Sequence, residues 1–179
     1  MKKIFLFLTL AAFTVACNDE KKEAAEGAAT TSAATKPDIK FPFPVAYSKF
    51  EPGNPEYAAM VLQGSWKDWE ENKMNKTKWL ADTVTAYHSD NTISKGADSL
   101  IARWTRQRAT YSSSAPAISA VMSVYAPEQK ENWVLIWADE IDIMLDGKKD
   151  TSSVMEAWKI NKDGKADMLL QYDRRTRKQ

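Results

Sequence analysis

The chain has 179 residues, one cysteine, one histidine and a formal charge of +1. The lone Cys excludes a disulfide framework, and the lone His excludes any site built from several His ligands, so neither a zinc site nor another metal centre is expected. With 25 basic and 24 acidic residues interspersed, the chain shows no electrostatic footprint for nucleic acid or for a polybasic membrane contact.

Lys2 and Lys3 precede an apolar stretch from Ile4 to Val15. It is too short to span a bilayer and has the length of a signal-peptide core. Ala16-Cys17 resembles the end of a bacterial lipobox, which implies cleavage before Cys17 and lipidation of its sulfur. Thr14 stands where an aliphatic residue is usual, and Thr14-Val15-Ala16 also satisfies the small-x-small rule of an ordinary signal peptidase. A lone Cys at this place, followed by a tether, favours lipidation. Residues 1–16 are thus read as a signal peptide, 17–40 as a lipidated Cys with a disordered tether, and 41–179 as one folded domain. Loss of Lys2 and Lys3 takes the charge from +1 to −1.

Asn18 to Lys22 resembles the acidic stretch that follows the lipidated Cys in Bacteroidetes-type lipoproteins. That implies a cell-envelope location, on the periplasmic or surface face of an outer membrane. The Ala/Thr/Ser-rich run from Glu23 to Lys36 holds almost no large apolar residue and cannot offset the entropy of ordering. At the other end, Arg174 to Lys178 reads as a solvated basic terminus.

In the domain, Phe41-Pro42-Phe43-Pro44 enforces an extended entry. Asn54-Pro55-Glu56 supplies an N-cap, a Pro at the first helical position and an early negative charge, so a helix starts there. Its apolar stripe is Ala58, Val61, Leu62, Ser65, Trp66 and Trp69. From Trp79 the period shifts towards two, and Thr83 to Tyr87 is β-branched and aromatic, as a strand requires. Gly96 opens a second helix burying Leu100, Ile101 and Trp104, which is expected to end near Tyr111 to Ser114. Strands follow at Ala117 to Tyr125, Asn132 to Leu145, Thr151 to Ile160 and Lys165 to Tyr172, with Asp146-Gly147 and Asp163-Gly164 as hairpin turns.

Helices first and a strand meander second is an α+β order. Lys95-Gly96-Ala97-Asp98-Ser99-Leu100-Ile101 resembles the Gly-led second-helix start of SnoaL-like proteins. The segment from Met155 to Lys165, ending at Gln171-Tyr172, is similar to their last hairpin. The resemblance to this nuclear transport factor 2-like superfamily covers about Asn54 to Tyr172. It implies a cone-shaped, curved antiparallel sheet packed on the N-terminal helices, the cystatin-like α+β roll, with a cavity inside the cone and no cofactor.

Alternation places Trp133, Leu135, Trp137, Asp139, Ile141 and Ile143 on one face of their strand, and Val154, Glu156, Trp158 and Ile160 on one face of the next. A carboxylate among apolar neighbours has its pKa raised, which makes Glu156 and Asp139 the candidate acid–base groups. Ketosteroid isomerase-like relatives use an Asp base with Tyr and acid donors. The resemblance therefore implies that Tyr87, Tyr125 or Tyr172 could supply a phenol. Trp104, Trp137 and Trp158 are the expected aromatic walls for a partly apolar ligand. His88 reads as a solvated strand end. The expectations are a ligand-binding domain, an isomerase, dehydratase or cyclase acting through a pocket carboxylate, or an interaction module that dimerises through its outer sheet face.

Overall fold

A computed structural model describes residues 40–75 and 79–175. The signal segment, Cys17, the tether up to residue 39 and the last four residues lie outside the described residues. The fold lies within the unit Pro42–Gln179.

A short strand β1 (Glu51–Pro52) precedes α1 (Pro55–Val61), which continues through a π-helical turn (Leu62–Lys67) into α2 (Asp68–Glu70). Then come β2 (Leu80–Tyr87), β3 (Ile93–Lys95), α3 (Ala97–Arg108) and four long strands. These are β4 (Tyr111–Ala126), β5 (Glu131–Met144), β6 (Lys149–Ile160) and β7 (Ala166–Arg175). The sheet has the order β1-β4-β5-β6-β7-β2-β3. It is mixed rather than wholly antiparallel, because β2 runs parallel to β7 with an irregularity between Leu80 and Thr85.

Local chemistry explains the boundaries. The Asn54 side chain accepts from Glu56 N–H at 3.0 Å and Pro55 occupies the first turn, where its missing N–H leaves no bond unmade. Gly96 caps α3 at φ +84°, a conformation that L side chains rarely adopt, and its N–H bonds to Val84 O at 2.7 Å. Gly147 and Gly164 take positive φ in the β5–β6 and β6–β7 turns. The fourth strand begins at Tyr111, six residues before the expected Ala117, and runs through Pro116. Pro is tolerated there because β1 pairs β4 only at Tyr125 and Val124, which leaves the Pro116 end as a sheet edge.

The inner face of the sheet and the helices share one core. Five of the seven tryptophans are buried in it: Trp66, Trp69, Trp79, Trp104 and Trp158. Trp79 stacks on Trp104 with centroids 6.2 Å apart, and both meet Trp158 edge-on at 5.0 and 6.0 Å. Gly64 is where the helix passes the Trp79 indole, since a Cβ there would meet Trp79 Nε1 at 2.3 Å.

Candidate functional site

The π-helical turn and α3 place their side chains over the inner faces of β5, β6 and β7. An i to i+5 turn is a local widening that often accompanies function. Here it contains Gly64 and Ser65, whose hydroxyl donates back to Val61 O at 2.7 Å. Trp66, in the same turn, and Trp69, just after it, line the chamber below. The buried Arg108 of α3 donates to the carbonyls of Trp69 and Glu70 at the end of this segment, and to Tyr111 O. Its guanidinium thereby adds side-chain bonds to the carbonyls at this helix end and holds the segment against the start of β4. Trp69 Nε1 donates to the buried Ser114 hydroxyl at 2.9 Å.

At the centre of this arrangement is Glu156, only 4 % exposed. Trp66 Nε1 and Trp158 Nε1 both donate to its Oε2, at 3.0 and 2.9 Å, and Gln171 Nε2 donates to Oε1 at 3.1 Å. Burial pushes the Glu156 carboxyl above its ordinary value, while the three N–H donors pull it back by stabilising the anion. The Gln171 amide is oriented in turn by His88, whose Nδ1 lies 3.4 Å from Gln171 Oε1 and whose Nε2 lies 2.9 Å from Ser94 Oγ. A neutral ring with its proton on Nδ1 serves both contacts. Burial, helped by the nearby Arg103, holds the His88 pKa down and keeps that neutral form. His88 is therefore a buried residue, 6 % exposed, and not the solvated strand end that its neighbours Ser89 to Asn91 suggest.

Glu156 lines a cavity of about 40 Å³ together with Ser65, Trp66, Trp69, Trp104 and Gln107. That is room for a few waters or one small head group. Gln107, Glu140, Val154 and Gln171 line both this chamber and a larger outer one of about 340 Å³. The outer chamber is polar, with Asp90, Asp142, Asp150, Asp173, Arg103 and Tyr111 on its walls. Arg103 pairs with Asp90 at 2.8 Å, and the Thr92 hydroxyl and Arg103 together hold the Asp90 carboxyl below the usual carboxylate range.

Among the residues singled out from sequence, Glu156 and Trp104 line the inner chamber, and Trp158 is fully buried with its N–H on Glu156. Asp139 and Trp137 lie on the opposite, outer face. In β5 the residues facing the core are Val134, Ile136 and Ala138, and Asp139 accepts from the exposed Ser153 hydroxyl at 2.7 Å. Tyr87 and Tyr172 are exposed and line a separate groove of about 320 Å³ at the β2–β7 end. Tyr125 is half-buried at the far end of β4, beside β1. Sequence reasoning missed Ser65, Trp66, Gln107, Glu140 and Gln171. Trp66 and Ser65 were visible on the first helix stripe, but nothing in the sequence announces a π turn aimed at Glu156.

A helical cover on one face of a curved mixed sheet defines the nuclear transport factor 2-like, cystatin-like α+β fold. No family model and no curated protein matches the sequence. Solved structures do match. A Caulobacter vibrioides protein with a cystatin-like fold superposes with a TM-score of 0.52 at 9% identity, over 69% of this chain and 89% of its own. A nuclear transport factor 2-like protein from Exiguobacterium gives 0.52 at 11% identity, over 65% of this chain and 99% of its own. A proposed scytalone dehydratase from Novosphingobium aromaticivorans gives 0.52 at 12% identity, over 66% and 80%. Likeness at this identity is likeness of fold alone.

Proposed function

We propose that the chain is a lipid-anchored protein of the cell envelope whose domain binds a small molecule in the cone. The anchor reading rests on Cys17 and the segment before it, and labelled palmitate tests it: the chain should incorporate label, and Cys17→Ala should not. The ligand reading rests on one observation above the others. Glu156 is a buried carboxylate, held by three N–H donors, on the wall of a chamber that continues into a wider one. Burying a charge-capable group carries a cost, and a ligand that meets it from the chamber offsets that cost. Native mass spectrometry of the full chain, extracted in mild detergent from its own envelope, tests this. Adduct mass that disappears on denaturation supports the reading, and a clean apo mass counts against it.

A second reading is an isomerase, dehydratase or cyclase in which Glu156 moves a proton. The raised Glu156 carboxyl favours it, and the fold shared with a proposed dehydratase is compatible with it. Binding is preferred because the phenols that such chemistry would draw on, Tyr87 and Tyr172, line a different groove, and only Tyr111 is near the outer chamber. A homodimer through the outer sheet face, where Met122 and Tyr172 are exposed, remains part of the proposal. Sedimentation at micromolar concentration checks it, and a monomer alone would end it.

A further inference from the structure

We propose that the molecule taken by this cone carries a protonated amine, with its ammonium head in the inner chamber against Glu156. The inference rests on the ligand-binding reading of the cavity and adds the charge of the ligand.

The argument is one of charge and hydrogen-bond direction. All three groups bonded to Glu156 are neutral and all three donate: two indole N–H groups and one carboxamide N–H. None can accept a proton from a neutral carboxylic acid. The Gln171 oxygen, the one acceptor among these side chains, is turned away towards His88. The donor set thus stabilises the anion, working against the burial that raises the carboxyl pKa. No Lys or Arg forms an ion pair with Glu156 among the described residues. An anion withdrawn from water without a counter-charge is costly, so a cation entering the chamber gains more from it than it would at the surface.

The rest of the chamber suits the same guest. The indoles of Trp66, Trp69 and Trp104 line it, and electron-rich rings attract ammonium groups. Ser65 and Gln107 add polar atoms that can accept ammonium hydrogens.

The test uses three probes of one length: propylammonium chloride, sodium propionate and 1-propanol. Each is titrated into the detergent-extracted full chain, labelled with 15N in its tryptophans. The indole N–H resonances of Trp66 and Trp158 report directly on the two bonds to Glu156. Propylammonium is expected to shift both saturably, with an apparent Kd at least tenfold below that of either other probe, and Glu156→Gln to weaken it at least tenfold. Equal or stronger shifts with propionate or propanol would overturn the cation while leaving the ligand-binding reading in place. No shift with any probe also overturns it, and if native mass spectrometry then shows no adduct, both readings fall. The wild-type series decides the charge even if the Gln variant does not fold.

Discussion

The two faces of the same sheet have opposite characters. On the inner face Val134, Ile136, Val154, Trp158 and Leu169 are buried in one cluster beside Glu156. On the outer face Trp133, Leu135 and Trp137 alternate with them along β5 yet remain half-exposed, and Met122, Tyr87 and Tyr172 are open. Both faces are rich in aromatic and aliphatic residues, so composition does not distinguish them. What distinguishes them is that the π turn and α3 cover one face only, and this confers both the core and the chamber on it.

The largest effect tests that contrast. Trp158→Ala is expected to remove about 3–5 kcal/mol of stability, because the ring is wholly buried and touches both Trp79 and Trp104. Trp137→Ala is expected to cost much less, about 1 kcal/mol, since its ring is half-exposed and belongs to no buried cluster. Urea melts of the two variants decide it. Equal losses would mean that the outer face is buried in the working protein, which is the result that a dimer would produce.

Much of the fold was legible because short-range chemistry set it. Asn54-Pro55, Gly96, Asp146-Gly147 and Asp163-Gly164 each mark a boundary that the structure uses. The short strands β1 and β3 were not legible, since two or three residues carry no period. In β6, alternation put Glu156 and Trp158 on one face, which the structure turns towards the chamber, but the same reasoning in β5 chose Trp137 and Asp139, which lie on the face away from it. Alternation names two faces without saying which is inside. The register across the Asp146-Gly147 hairpin resolves it, because Glu156 pairs with Ile136 and so shares its face with Val134 and Ala138.

A smaller effect probes the lid. Gly64→Ala is expected to destabilise by about 1–3 kcal/mol through overpacking against the Trp79 indole, even though Ala is the better helix former. A stabilised variant, by the same melts, would show that the helix can step away from Trp79 and that Gly64 serves no close approach.

Subtler again is the pH dependence carried by Glu156. Its carboxyl is raised by burial above the ordinary 4.5, so between these two values the folded chain holds a proton that the unfolded chain has released. Its contribution is therefore fully present below 4.5 and is lost as pH rises through the folded pKa. The stability of wild type minus that of Glu156→Gln, measured without ligand, should fall with pH over this interval and then level. A difference that climbs with pH would mean that the three donors outweigh burial.

The smallest effect returns to the outer face. Asp139 is bonded to the exposed Ser153 hydroxyl on the side of the sheet that faces away from the chamber. Asp139→Asn is therefore expected to change stability by no more than about 0.5 kcal/mol and to leave the propylammonium shifts of Trp66 and Trp158 intact. The two carboxylates then separate by face alone: one flanked by indoles under the lid, the other in water on the same sheet. If Asp139→Asn weakened the cation as much as Glu156→Gln does, the charge that attracts it would be acting through the sheet or on its outer face, and the inner chamber would lose its claim to the ligand.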